Sequence, residues 1–218
     1  MNSADETALK PLRLRLATFF EFVVAHIPAA PARVLEVGCG AGELARALAS
    51  AGHSIVAIDP AAPDGPIFRR VTLEDFSDAD RFDAVVASVS LHHVADIDAA
   101  AERIAALLRP SGALILEEFA KERFAGPTRE WYYERRRALE PLDAFPLWSS
   151  RWDEQHADIH TFADVRAALE RRFATRHFER RPYLFDYRLD DLLEPIEREL
   201  IELGAIEATA VRYVGEAL

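Results

Sequence analysis

The sequence predicts an α/β protein built on a mostly parallel sheet with helices on both faces, and three observations support this class. The stretch "VLEVGCGAGELA", Val34–Ala45, combines an apolar strand, a glycine-rich turn and the start of a helix. Strand and helix patterns then alternate as far as Phe119, which is typical of parallel sheets. Half of the 218 residues are hydrophobic and no low-complexity tract interrupts them, so we expect one soluble globular domain.

Charge and cysteine content limit the possible functions. A formal net charge of −11 argues against sequence-independent binding to nucleic acid, because phosphate backbones require basic surfaces. The single cysteine, Cys39, excludes an internal disulfide and a cysteine-rich metal site, and it makes a cytoplasmic location the expectation. Charged residues at Arg13, Arg15 and Glu21 interrupt the apolar run near the N-terminus, so we predict neither a signal peptide nor a membrane span.

The first predicted element is an amphipathic helix. Apolar residues recur at helical spacing from Leu9 to Ile27, and the pattern ends before Pro28. We expect this helix to pack on the domain as a cap formed by residues 1–30, where it would close one side of the acceptor pocket.

A ligand-binding core is predicted over residues 31–119. Asp96 stands where it would cap the helix that follows the fourth strand. The predicted strands are 34–37, 54–58, 67–71, 82–88 and 113–119, and the predicted helices are 42–50 and 97–108.

Residues 120–160 differ in composition from the core, because tryptophans and tyrosines occur there without a strand pattern. We expect this segment to form a lid over the acceptor pocket, with Trp131, Trp152 and His156 as substrate contacts. His156 and His160 are four residues apart and would share one face of a helix, as metal ligands can. Thr161 is placed to cap the next helix, however, so we expect His160 to precede that helix and expect no metal site.

The remaining residues, 161–218, are expected to complete the sheet. Thr161 and Asp164 have the spacing of a capping box, which predicts a helix that ends near Arg172. After it we predict a strand over 175–183, a helix over 191–203 and a last strand over 208–214.

The glycine-rich turn indicates the kind of cofactor. Gly38, Gly40 and Gly42 follow the pattern G-x-G-x-G, whereas a dinucleotide fingerprint has its third glycine where this chain has Glu43. The carboxylates of Glu43 and Glu36 would repel a pyrophosphate at the helix N-terminus. A cationic ligand without phosphate fits better, and S-adenosylmethionine, with its sulfonium and ammonium groups, is such a ligand.

Two further features indicate a nucleoside. Asp59 ends the second strand, where a carboxylate can accept hydrogen bonds from both hydroxyls of a ribose. A backbone amide near Leu73 and the carboxylate of Glu74 or Asp75 could bind the edge of the adenine.

Four segments, "VLEVGCGAGELA", "AIDP", "FDAVVASVSLHHV" and "LLRPSGALILEEF", occur in this order between Pro31 and Phe119. In sequence and spacing they resemble the class I S-adenosylmethionine-dependent methyltransferases. The resemblance implies a Rossmann-like fold with a seven-stranded sheet in which only the last strand is antiparallel. The segment that would face the adenine is short in this chain.

The same resemblance implies a set of cofactor contacts. Glu36, Gly38 and Gly40 would surround the methionine part of the cofactor. Asp59 would hold the ribose, and Glu74 would lie near the adenine. We include Ser88, at the end of the fourth strand, among the expected cofactor contacts.

Two histidines are the candidate catalytic residues. His92 and His93 follow the fourth strand, at the edge where parallel sheets bind ligands. In this fold the fourth and fifth strands are neighbours, so Glu118, and less readily Glu117, would lie near the histidines. One histidine would act as general base, with His93 preferred, and the carboxylate would orient an imidazole. The simpler interpretation is that one histidine is buried and the other points into the pocket.

These features predict a methyltransferase that acts on oxygen or nitrogen of a small molecule, since no separate module for nucleic acid or protein is visible. A nicotinamide-dependent oxidoreductase is the first alternative, and Glu43 is the feature that argues against it. The second alternative is a protein that binds S-adenosylmethionine without transferring its methyl group. Accumulation of S-adenosylhomocysteine in the presence of an acceptor would separate the methyltransferase from this alternative.

Overall fold

Buried strands of mostly apolar residues form the centre of the structure, a computed structural model that describes residues 12–218. Seven strands form one sheet in the order β3-β2-β1-β4-β5-β7-β6. Strand β7 is antiparallel to β5 and β6, and the other pairs are parallel. This arrangement confirms the predicted Rossmann-like fold. The strands are β1 Arg33–Val37, β2 Ser54–Ile58, β3 Phe68–Arg69, β4 Phe82–Ser88, β5 Leu108–Phe119, β6 Phe173–Arg181 and β7 Ala210–Ala217.

Helices cover both faces of the sheet. The α-helices are α1 Leu14–His26, α2 Glu43–Ser50, α3 Ile97–Leu107, α4 Gly126–Leu139, α5 Phe145–Gln155, α6 Phe162–Glu170 and α7 Glu194–Glu202. Helices α1 and α2 pack on one face, and α3 and α6 pack on the other. Asp96 caps α3 by accepting from the Ala99 amide at 3.0 Å, and Thr161 and Asp164 form the capping box of α6. Both caps are as predicted.

Helix α1 packs on the domain through one apolar side. Phe19 and Val23 are fully buried on this side, whereas Phe20, which the periodicity favoured, is half-buried. Leu9 and the other residues of 1–11, the beginning of the expected cap, lie outside the described residues. Among the helices of residues 12–218, none is long and apolar enough to cross a membrane.

Some element boundaries differ from the predictions. The edge strand β3 has two residues instead of the predicted 67–71, because the backbone turns where the Val71 amide donates to the carbonyl of Arg69. Strand β5 begins at Leu108, where it pairs with Phe82 before a shift in register. The last strand ends at Ala217 because its antiparallel register continues to Phe173 of β6.

The register of the parallel strands determines where the site lies. Val37 pairs with Ile58 on one side and with Ala87 on the other, and Ser88 pairs with Glu117. The carboxyl ends of β1, β2, β4 and β5 therefore lie side by side at one edge of the sheet. The segments that follow them carry the candidate site residues.

Candidate functional site

The three glycines of the turn between β1 and α2 have different surroundings. Gly38, Gly40 and Gly42 all have positive φ angles, 74°, 49° and 76°. A Cβ atom on Gly38 would lie 2.4 Å from Cβ of Ser90, and one on Gly42 would lie 2.4 Å from the ring of Phe68. At Gly40, no atom of the described residues lies within 4 Å of such a Cβ. Gly40 therefore borders open space that a ligand can enter, while Gly42 allows close packing.

Asp59, at the end of β2, is held firmly by the same turn. One carboxylate oxygen accepts a hydrogen bond from the Gly40 amide at 3.0 Å, and the other accepts from the Ala61 amide at 2.7 Å. Each oxygen of a carboxylate has a second lone pair, so both can still accept from ligand hydroxyls. This geometry suits the two hydroxyls of a ribose.

Glu36, at the end of β1, is a buried carboxyl group without a balancing charge. Its side chain is 3% exposed, and its Oε2 atom has no hydrogen-bond partner among residues 12–218. Burial raises the pKa of Glu36 to about 8 with a smaller contribution from the charge of Asp59, and a backbone hydrogen bond from Ala45 acts in the opposite direction. A cationic group of a ligand would supply the missing partner and favour the ionised carboxylate, whereas a pyrophosphate would offer no such partner. These residues fit S-adenosylmethionine.

A cavity of about 350 Å³ opens beside this turn, and we call it the cofactor cavity. Leu73, Glu74 and Ser90 line it together with Gly38 and Asp59. Of the three candidates for the adenine contact, Leu73 and Glu74 thus reach the cavity. The third candidate is engaged elsewhere, since the Asp75 carboxylate lies 3.3 Å from the hydroxyl of Thr72.

The expectation for Ser88 needs correction. Its hydroxyl accepts a hydrogen bond from Nη1 of Arg15 at 3.2 Å, on the α1 side of the sheet. Side chains alternate along a strand, and Ser88 shares this side with Val86. Ser90 lines the cofactor cavity instead, and its hydroxyl donates to the carbonyl of Val37 at 2.9 Å.

Glu118 is buried next to the histidine pair. Its Oε2 atom lies 2.5 Å from Nδ1 of His92, and its Oε1 atom accepts from the amides of Ser90 and Leu91 at 3.0 and 2.7 Å. The carboxylate therefore orients the His92 ring and also holds the turn that carries both histidines. Glu117 lies on the opposite side of β5, where it pairs with arginines.

His93 is exposed at the edge of the cofactor cavity. The centroid of its ring lies 4.1 Å from that of His92. Desolvation and the charges of His92 and His156 lower the pKa of His93, while the charge of Glu118 acts in the opposite direction. The neutral imidazole, the form that accepts a proton, is therefore favoured near pH 7.

A second cavity, of about 150 Å³, adjoins the first, and we call it the aromatic cavity. Val89 and His93 line both cavities. The complete lining of the aromatic cavity is Val89, His92, His93, Phe119, Trp152, His156, Ile159, Tyr183 and Tyr187. The two cavities therefore meet at the end of β4.

Two of the three expected substrate contacts reach this cavity. Trp152 and His156 line it, and their rings stack with centroids 4.1 Å apart and an interplanar angle of 14°. Trp131 is buried in the aromatic cluster formed by α4 and α5 and lines neither of the two cavities. Its ring lies against the guanidinium of Arg135 at 4.7 Å. Trp131 is therefore a core residue of this cluster, contrary to the expected substrate contact.

Sequence reasoning missed three aromatic residues of this wall. Phe119 ends β5, and Tyr183 and Tyr187 lie in the loop after β6. The strand predicted over 175–183 ends at Arg181 as β6, so the sequence did not indicate that a loop begins there. The available signal for the two tyrosines was the stretch "YLFDY", which has three aromatic residues within five positions. Helix α1 approaches the cavity through Arg15, whose guanidinium lies 5.7 Å from the Tyr183 ring centroid.

His156 and His160 point to different partners. Nδ1 of His156 donates to the Trp152 carbonyl at 2.7 Å, and Nε2 of His160 donates to the Val94 carbonyl at 2.9 Å. His160 precedes α6 in a loop, as predicted. Within residues 12–218, no group of three or more His, Cys, Asp or Glu residues is arranged to hold a metal ion.

Comparison with known proteins identifies similar sequences. A family model described as "Methyltransferase domain" matches residues 2–179. The ubiquinone biosynthesis O-methyltransferase of Rhodopseudomonas palustris (strain TIE-1) is 32% identical over 97 residues, which are 38% of this chain and 38% of that protein. The protein of the same name from Xanthomonas axonopodis pv. citri (strain 306) is 36% identical over 124 residues, 50% of this chain and 49% of that protein. The match thus spans between about two fifths and one half of these relatives.

Solved structures share the fold at low sequence identity. An S-adenosylmethionine dependent methyltransferase from Mesorhizobium loti aligns with a TM-score of 0.60 and 18% identity, over 92% of this chain and 99% of that chain. The N-methyltransferase NodS from Bradyrhizobium japonicum WM9, in complex with S-adenosyl-L-homocysteine, aligns with a TM-score of 0.56 and 15% identity, over 93% of this chain and 85% of that chain.

Proposed function

The chain belongs to the methyltransferase domain family, and from this premise we propose that it transfers a methyl group from S-adenosylmethionine to oxygen or nitrogen of a small-molecule acceptor. The observation that carries this proposal is the junction of the two cavities at Val89 and His93. A cofactor in one cavity and an acceptor in the other would meet at this junction. Methyl transfer requires such close approach, because much of its rate comes from holding the reactants together.

S-adenosylmethionine is the cofactor, and the residues that line the cofactor cavity or belong to the adjoining glycine turn suit its chemistry. The buried carboxylate of Glu36 would pair with the ammonium group, and Asp59 would accept hydrogen bonds from the ribose. Leu73 and Glu74 would bind the adenine, and the open space at Gly40 gives access to the backbone. When bound, the cofactor supplies an electrophilic methyl group on its sulfonium sulfur.

The aromatic cavity is the proposed acceptor site. Its wall is dominated by apolar and aromatic side chains, among them Phe119, Trp152 and Tyr183, and its volume is about 150 Å³. Such a wall favours a small planar or apolar group over a charged one. Trp152 of α5 forms part of this wall, and by excluding water the wall would leave the acceptor atom free to react.

We assign the role of general base to His93. Its neutral imidazole would accept the proton that the acceptor hydroxyl or amine loses, and the proton would then pass to solvent at the exposed edge of the cavity. Glu118 and His92 act as positioning residues, because the carboxylate fixes the turn that presents His93. His92 is the second candidate for the base: it also lines the aromatic cavity, and its Nδ1 atom is held by Glu118.

A screen with methyl-labelled cofactor tests the proposal. Small-molecule extracts are incubated with the protein, and transfer of label to an organic product is measured together with S-adenosylhomocysteine. The proposal predicts a labelled product whose rate of formation falls about 10²- to 10⁴-fold in His93→Ala, the usual contribution of a positioned base. Wild-type turnover in both His93→Ala and His92→Ala would contradict the assignment of a histidine base. Cofactor binding without any labelled product would favour a binding protein that transfers no methyl group.

A further inference from the structure

A polar cavity of about 240 Å³ lies under α1, on the side of the sheet opposite to His92. Glu117 and Glu118 are neighbours in β5, so their side chains point to opposite faces, and Glu117 lines this cavity. We call it the arginine cavity, because its charged lining consists of Arg15, Arg181, Arg198 and Arg212 with the carboxylates Glu117 and Glu194.

The carboxylate of Glu117 forms ion pairs with two of these arginines. Glu117 lies 2.5 Å from Nη1 of Arg15 and 2.7 Å from Nε of Arg212, and both its oxygens are thereby used. Asp186, which does not line the cavity, pairs with Nε of Arg15 at 2.8 Å. The same carboxylate also pairs with Arg13. The pairs at this end of the cavity therefore leave no spare negative charge for a further arginine.

Arg181 is the arginine with the weakest partner. Within residues 12–218 its ion-pair partner is Glu179, with the two charged atoms 4.0 Å apart, which is too long for a hydrogen bond. Burial and the charges of Arg212 and Arg198 lower the pKa of Arg181, while Glu179 raises it. Arg198 pairs with Glu194 within α7, so the lining as a whole has two more cations than carboxylates.

We propose that the arginine cavity binds a small oxyanion, a carboxylate or a phosphate group, through Arg181 and Arg198. A guanidinium binds either group with two parallel hydrogen bonds, and a bound anion would offset the repulsion among the arginines. The excess of positive charge is local, since the chain as a whole has a net charge of −11. Binding of an anion here does not require the proposed methyl transfer.

The occupied site would contact a loop that also forms the acceptor site. Pro182 and Phe185 line the arginine cavity, and Tyr183 and Tyr187, in the same loop, line the aromatic cavity. An anion at Arg181 therefore lies against the backbone that positions both tyrosines.

Thermal unfolding and calorimetry of the full chain test this proposal. The protein is titrated with inorganic phosphate and, separately, with succinate, each against sodium chloride of equal ionic strength. We expect the Tm to rise and to saturate with at least one of the two anions, because a ligand that binds the native state stabilises it. The anion that acts identifies the group that the site prefers.

The variants localise the effect. Arg181→Gln should weaken the binding of the effective anion at least tenfold, and Arg198→Gln provides the same test if the first variant does not fold. Arg176→Gln is the matched control, since Arg176 is an exposed arginine of β6 that pairs with Glu216 at 2.9 Å. A wild type that responds to neither anion beyond chloride would overturn the proposal. Equal binding in Arg198→Gln and Arg176→Gln would also overturn it.

Discussion

Glu118 holds His92 by a contact of 2.5 Å between Oε2 and Nδ1, and both side chains are buried. The second oxygen of the same carboxylate accepts two backbone amides of the turn before His92. One side chain of β5 therefore fixes the geometry of a turn that belongs to β4. This relationship makes Glu118 a positioning residue for the histidine pair.

Glu118→Gln should lower turnover about tenfold or more without a change in S-adenosylhomocysteine affinity, because the amide cannot accept all the bonds that the carboxylate accepts. The charge of Glu118 raises the pKa of His93, so its removal lowers that pKa further. A base works in its neutral form, and the acid limb of the kcat profile should therefore shift to lower pH. A limb at the wild-type pH would show that Glu118 does not act through the histidines.

Glu36→Gln should change how stability depends on pH. Burial raises the pKa of folded Glu36 to about 8, against about 4.3 in an unfolded chain. The folded state therefore binds this proton more tightly than the unfolded chain does. The resulting contribution of Glu36 to the free energy of unfolding is complete below about pH 4 and is lost as the pH rises towards 8. The slope is about 1 kcal/mol per pH unit in this window. For Glu36→Gln, urea unfolding of the cofactor-free protein should show a flatter dependence of stability on pH and a higher stability at pH 8 than for wild type. The variant should also bind the cofactor more weakly. An unchanged profile would contradict the raised pKa.

Gly40→Ala and Gly42→Ala should separate ligand access from packing. Both residues have positive φ angles, so both variants carry a backbone cost of about 1 kcal/mol. In addition, the methyl group of Gly42→Ala would meet the Phe68 ring at 2.4 Å, whereas that of Gly40→Ala would enter open space. Chemical denaturation should therefore find Gly42→Ala the less stable variant, and calorimetry should find weaker S-adenosylhomocysteine binding in Gly40→Ala. Weaker S-adenosylhomocysteine binding in Gly42→Ala than in Gly40→Ala would place the ligand elsewhere.

Trp152→Ala and Trp131→Ala should have different effects, although both residues belong to one buried cluster. Trp152 lines the aromatic cavity, so its loss should raise KM for the acceptor while leaving cofactor affinity intact. Trp131 is buried outside this cavity, so its loss should cost about 3–5 kcal/mol of stability. Steady-state kinetics and denaturant unfolding measure the two effects. A larger change in acceptor KM for Trp131→Ala would reverse the assignment.

The sequence predicted those features that depend on local spacing. The glycine turn, the order of strands and helices and the caps at Asp96 and Thr161 follow from patterns within a few residues. The proximity of Glu118 to a histidine followed from the pairing of the fourth and fifth strands in the inferred fold.

The features that the sequence did not reveal depend on tertiary packing. Ser90 lines the cofactor cavity in place of the predicted Ser88 because Val89, between them, has a positive φ of 53°, and this turn interrupts the alternation of side chains along the strand. The orientations of Trp131 and Trp152 depend on how α4 and α5 pack. The arginine pairs of Glu117 join residues that are about 100 positions apart in the chain.

Titration of S-adenosylhomocysteine by calorimetry into wild type, Asp59→Ala and Asp64→Ala tests the central claim most directly. Asp59 is held at the cofactor cavity by two amides, whereas Asp64 is an exposed residue of the same loop that pairs with Arg70. Loss of two charge-assisted hydrogen bonds, each worth about 1.5–3 kcal/mol, predicts binding that is about 10²- to 10⁴-fold weaker in Asp59→Ala and unchanged in Asp64→Ala. Absence of binding to the wild type, or equal affinity in Asp59→Ala and wild type, would contradict the account.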